Sequence, residues 1–200
     1  LDAIAIYQKG LQVAESQPYQ VQGIADLYLG LGDLYREKND LVTAQQHLDT
    51  SESLGEQAGL PIWRTRFCKV QARMKQISGD FDTAVNFLDE AESLNYITPV
   101  PNIQPIPALR AHVWIKQGQT NRALSWARGL SLDSDVTYLN EFELMTLARL
   151  HITLIKNADA ENLTHLLKRL LDAAESDKRM GSVIEISILQ ARLQWTLGNR

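Results

Sequence analysis

Cysteine is almost missing from this 200-residue chain. Cys68 stands alone, so neither an intramolecular disulfide nor a cysteine zinc cluster can form. That usage fits a reducing cytoplasm. No run approaches 18 consecutive apolar residues, which excludes a membrane-spanning helix by composition. Surplus positive charge is missing as well. The 20 Lys and Arg are outnumbered by 24 Asp and Glu, for a formal net charge of −4. A chain of that balance carries no general basic footprint for nucleic acid. The first residue is Leu1 rather than Met, and Leu1–Lys9 has no signal-peptide character. Amphipathic sequence runs up to both ends, so the expectation is a segment cut from a longer chain.

Catalytic and metal-binding motifs are missing too. There is no Gly-x-x-x-x-Gly-Lys-[Ser/Thr] phosphate loop and no His-Glu-x-x-His. His47, His112, His151 and His165 fall in four different predicted helices. Gly30-Leu31-Gly32 lies inside a predicted helix, where the glycines read as packing contacts. Cys68 lies one turn before Ala72 and reads as a small core residue. No pair of carboxylates stands out as an acid/base dyad. The segment is therefore expected to be no enzyme, with no cofactor and no metal of its own.

What is present is periodicity. The composition, 44% hydrophobic and 22% charged, is enough to bury a sizeable core. Five short punctuators interrupt helical sequence: Asn39-Asp40, Gly79-Asp80, Gly118-Gln119, Ala158-Asp159 and Gly198-Asn199. Their spacings are 40, 39, 40 and 40 residues. Seven residues before each stand Gly32, Ala72, Ala111, His151 and Ala191. Five residues after the first four stand Ala44, Ala84, Ala123 and Leu163. Small residues facing one another across a tight turn let two antiparallel helices approach closely.

The copies Gly32-Asp33-Leu34-Tyr35 with Asp40-Leu41-Val42-Thr43-Ala44, and Gly79-Asp80-Phe81-Asp82-Thr83-Ala84, resemble the tetratricopeptide pattern. The usual repeat is about 34 residues long, and this one is longer. The expected fold is all-α: a tetratricopeptide-like right-handed superhelix of antiparallel helix pairs, one array over 1–200. Pairs are predicted at 20–58, 62–95, 106–131 and 140–177, with unpaired helices at 2–16 and 181–197. Leu163, Leu166, Leu167, Leu170 and Leu171 form an apolar helical stripe. Val183, Ile184, Ile186, Ile188, Leu189 and Leu193 predict a last helix buried on more than one side. Pro61, Pro105 and Pro107 sit near predicted helix starts, and Thr98–Pro107 reads as a stiff extended connector.

The surface left to carry a site is the concave side, lined by the first helix of each pair. Counting from the small position places Asp26, Asp33, Arg36, Arg66, Lys69, Arg73, His112, Glu185, Arg192 and Trp195 there. Arg66, Lys69 and Arg73 form a basic stripe at i, i+3 and i+7, to which Arg36 adds from the neighbouring helix. Guanidinium and ammonium groups so placed suit an anionic peptide or a phosphorylated or carboxylated effector. The plainer alternative is a solvated stripe offset by nearby acids. Trp114, Trp126 and Trp195 are candidates for stacking on a sugar or peptide, or core residues. The candidate set is Arg36, Arg66, Lys69, Arg73, His112, Arg192 and Trp195.

Tyr138-Leu139-Asn140-Glu141-Phe142-Glu143-Leu144-Met145, Leu167-Lys168-Arg169-Leu170-Leu171-Asp172-Ala173-Ala174-Glu175 and Arg179-Met180-Gly181-Ser182-Val183-Ile184-Glu185-Ile186 carry a further likeness. They resemble the C-terminal helical region of the large ATP-binding LuxR-type transcriptional regulators, the family of the maltose-regulon activator. Ala123-Leu124-Ser125-Trp126-Ala127 extends it upstream. The resemblance implies a cytoplasmic sensor region that binds an inducer or regulatory protein and controls self-association. It also implies a separate signalling ATPase before it and a DNA-binding helix-turn-helix after it, so this segment itself would touch neither DNA nor membrane. The alternative is a generic tetratricopeptide scaffold that docks a peptide or protein.

Overall fold

A computed structural model describes residues 2–94, 101–154 and 160–198. The Ala158-Asp159 turn, Ile155, Asn199 and the Thr98–Val100 part of the connector lie outside the described residues. The chain divides into two compact units, Leu1–Thr98 and Pro99–Arg200. Unit 1 holds α1 (Ala3–Glu15), α2 (Ile24–Glu37), α3 (Leu41–Ala58), α4 (Trp63–Ile77) and α5 (Phe81–Ser93). Unit 2 holds α6 (Ile106–Lys116), α7 (Thr120–Ala127), α8 (Glu141–Leu154), α9 (Ala160–Ser176) and α10 (Met180–Thr196). Among the described residues there is no strand, so the architecture is all-helical and of the tetratricopeptide-like kind.

The turns explain why the helices stop where they do. Asn39 (φ 60°), Gly79 (φ 78°) and Gly118 (φ 74°) each adopt the left-handed conformation just after a helix end. The next amide then reaches back to an orphan carbonyl. Asp40 N–H donates to Tyr35 O at 3.0 Å, Asp80 N–H to Lys75 O at 2.9 Å and Gln119 N–H to Trp114 O at 2.8 Å. The two aspartates then cap the following helix, each accepting a backbone N–H (from Thr43 or Thr83) at 3.2 Å. One residue thus ends one helix and its neighbour starts the next.

The small-residue positions meet as the spacing requires. A methyl on Gly32 would lie 2.8 Å from the Leu48 side chain and 3.3 Å from Ala44 O. Ala44, Ala84, Ala111 and Ala123 are fully buried, and Ala72 nearly so. In unit 2 the register breaks from small residues: His151 is half-buried while Leu163 is fully buried. There the leucine stripe of α9 fills the core, with Leu163, Leu166, Leu167 and Leu170 all out of water. Each contributes about 1.5–3 kcal/mol of burial.

Two expectations need correction. Helix α7 ends at Ala127, not near residue 131. Beyond Gly129 the chain is tied down by side chains: the Arg169 guanidinium donates to the carbonyl of Ser134 at 2.8 Å and to that of Leu132. Ile184 and Ile188 are exposed, not buried. Helix α10 packs on α8 and α9, and Ile186, Leu189 and Leu193 form the buried side of that contact. No described helix covers the Ile184–Ile188 side.

Ser51 shows how tightly unit 1 is specified. It is fully buried, donates to Ala25 O at 2.7 Å and accepts from the Trp63 indole N–H at 2.9 Å. Ser51→Ala strips the Trp63 donor of its partner inside the core. We expect a loss of about 1–3 kcal/mol in chemical denaturation. Unchanged stability would mean that the hydroxyl bridge contributes nothing.

Candidate functional site

The first-helix side of unit 1 contains a groove of about 260 Å³ between α1, α2 and α4. Its floor is apolar, made by Leu29, Leu34 and Val70. Gly30 matters here: a methyl on it would lie 2.1 Å from the Tyr7 ring, so only a glycine lets Tyr7 lie against α2 as one wall. The opposite wall is Arg66, Lys69 and Arg73 from α4, and Asp33 and Glu37 complete the lining from α2. The three cations of the stripe thus share one groove.

The geometry also shows how they are balanced. Arg66 donates to Asp26 at 2.7 Å, and Arg73 to Asp33 at 3.1 Å. Both pairs join residues 40 apart, one repeat length, at the same place on successive first helices. Asp33 also receives Arg36 at 2.7 Å, so one carboxylate bridges two guanidinium groups. Asp26 is buried and accepts the Leu60 N–H at 2.7 Å, which pins the α3–α4 connection to the start of α2. The arginines of the stripe are therefore offset by acids of the neighbouring helix while staying partly exposed. Burial, and after it the nearby Arg73, bring the Lys69 ammonium down to about 8. It still carries its charge at neutral pH.

The remaining candidates belong to unit 2. His112 on α6 is half-buried and stands 6.2 Å from the Phe142 ring of α8. Burial first, then the cations Arg149 and Lys116, push its imidazole down to about 3. Arg192 and Trp195 are exposed on α10. Trp114 is half-buried with the Arg110 and Arg122 guanidinium groups 5.8 and 4.6 Å from its ring, which favours a structural role. Trp126 packs on the unit 2 core. Cys68 is fully buried, and burial with Glu90 nearby raises its thiol to about 12, so it stays unreactive.

Sequence reasoning missed two contributors. Tyr7 enters the groove from the helix that precedes α2, outside the register of first helices. Arg149 lies two residues before the small position, off the counted rows, yet it ion-pairs with Glu185 of α10. The Asp26–Arg66 and Asp33–Arg73 pairs did have a signal: opposite charges at equivalent places one repeat apart.

This arrangement of helix pairs defines a tetratricopeptide-like helical repeat protein. A family model for the MalT-like TPR region matches residues 1–200, and the chain belongs to that family. No curated protein and no solved structure matches significantly. Among the described residues no helix is long and apolar enough to cross a membrane.

Neutral His112 makes stability pH-dependent. The unfolded imidazole takes up a proton near its ordinary value of 6.5, whereas the folded one refuses it down to about 3. Its contribution is complete above pH 6.5 and is lost as pH falls from there towards 3. The melting temperature of the wild type should drop more between pH 7 and 5 than that of His112→Gln. Parallel curves for the two proteins would show that His112 is not held neutral.

Proposed function

We propose that this chain, by its family a helical regulatory or protein-interaction region, is the sensor segment of a bacterial transcription activator, and that the unit 1 groove receives its inducer. The observation that carries this reading is the groove itself. About 260 Å³ falls just below the roughly 300–1,000 Å³ of small-ligand pockets. It suits a small polar molecule better than a protein surface. Half of its lining residues are charged, a more polar lining than most small-ligand pockets have, which favours a charged or strongly polar ligand.

The coupling follows from Asp33. That carboxylate ties Arg73 of α4 to Arg36 of α2. A ligand anion that takes over Arg73 releases Asp33 and loosens α2 from α4. The ligand then favours whichever packing of the two helices suits it, a population shift that adjoining modules read. Self-association and DNA binding by other parts of the parent chain would be the outputs. ATP hydrolysis, if the parent has it, belongs to a module outside this segment. We place the protein in the cytoplasm, with a small inducer or a regulatory protein as partner. In the rival reading, a peptide-docking scaffold, the same groove would hold the side chain of an acidic peptide.

Ligand-observed NMR against sugars, sugar phosphates, carboxylates and acidic peptides tests this. A small-molecule hit should lose at least about tenfold in affinity, about 1.4 kcal/mol, on Lys69→Glu, with folding retained. Hits confined to peptides favour the scaffold. Small-molecule binding indifferent to Lys69→Glu removes the groove from the account.

A further inference from the structure

The lining of the unit 1 groove takes its two signs of charge from two helices. Gly30, Asp33 and Glu37 follow one another along one face of α2 at i, i+3 and i+7, as Arg66, Lys69 and Arg73 do on α4. The α2 stripe is an aromatic ring, Tyr7 lying on Gly30, followed by two carboxylates. The α4 stripe is cationic throughout. Both border the apolar floor of Leu29, Leu34 and Val70.

Where the stripes meet, charges alternate in a line. Arg36 Nη2 donates to Glu37 Oε1 at 3.2 Å, and Arg36 Nε donates to Asp33 Oδ1 at 2.7 Å. Arg73 Nη1 then donates to Asp33 Oδ2 at 3.1 Å. The Asp33–Arg73 link is the one that crosses from α2 to α4. Its two side chains are 30% and 25% exposed, so a ligand can reach it.

A ligand of a single sign fits this link badly. An anion on Arg73 comes to lie against the Asp33 carboxylate, and a cation on Asp33 against the Arg73 guanidinium. Like charges at that range repel, and more so where water is partly excluded. A ligand with both signs on neighbouring atoms avoids the conflict. Its carboxylate meets Arg73, its ammonium meets the Asp33 oxygen so released, and the alternation is lengthened rather than broken. The Tyr7 ring, one turn before Asp33, favours a cation in the same place.

We propose that the ligand of the groove is a free amino acid. Arg73 holds its carboxylate, Asp33 beside Tyr7 holds its α-ammonium, and its side chain lies on the apolar floor. This rests on the reading of the groove as an inducer site and narrows that reading to one ligand class. About 260 Å³, less than a drug-sized pocket, suits a molecule this small. The floor selects an apolar side chain.

The test is ligand-observed NMR on the whole 200-residue chain with the protein-forming amino acids, one at a time. At least one with an apolar side chain should bind saturably at millimolar concentration or below. Its N-acetyl derivative, which lacks the ammonium, and its amide, which lacks the carboxylate, should each bind at least about tenfold more weakly. Asp33→Asn should remove the first difference: the amino acid weakens at least about tenfold, and the N-acetyl derivative does not weaken. The wild-type comparison needs no variant, so it decides the matter even if Asp33→Asn does not fold. A derivative that binds as tightly as its parent amino acid overturns the proposal, because the groove then fails to read one of the two charges. Saturable binding by no amino acid overturns it as well. The sensor reading falls only if sugars, sugar phosphates and other carboxylates also show no binding that depends on Lys69.

Discussion

Everything in unit 1 rests on how closely α2 can approach α3. Gly32 sits against Leu48 and Ala44 with no room for a methyl. The same kind of contact recurs where Ala72 and Ala84, and Ala111 and Ala123, are buried. Close packing at those points fixes where each helix lies. It therefore fixes where the opposite face of each first helix points. The groove and its charged walls are a consequence of that spacing, not an independent feature.

The ion pairs are the second layer. Asp26–Arg66 and Asp33–Arg73 connect like positions on α2 and α4. Part-exposed pairs of this kind contribute little to stability, about 0–1 kcal/mol each. Their weakness suits the sensor role proposed for the groove. A ligand anion can compete for Arg73 without having to break a strong contact. Asp26 is different, since it is buried and also holds the Leu60 amide, and it belongs to the scaffold.

Much of the fold was legible because its signals are local. Left-handed turns at Asn39, Gly79 and Gly118, aspartate caps and small residues at fixed offsets each leave a mark in one short stretch of sequence. The end of α7 was not legible, because it depends on Arg169, some forty residues away, holding two loop carbonyls. The burial of α10 was misread for a related reason. Apolar periodicity shows which residues could be buried, but not whether a neighbour covers Ile184 and Ile188. At the candidate sites, the stripe of Arg66, Lys69 and Arg73 could be counted out from register. Its neutralising partners could have been, since opposite charges fall one repeat apart. Tyr7 and Arg149 could not, because their positions depend on how the helices are rotated against one another.

The most direct test of this account is a double-mutant cycle at Asp33 and Arg73, using Asp33→Asn, Arg73→Gln and the pair. If stacking brings like positions of α2 and α4 together, the two effects on stability will be non-additive by about 0.5–1 kcal/mol. Strictly additive effects would mean that the two helices do not meet along that face, and the groove would lose its wall.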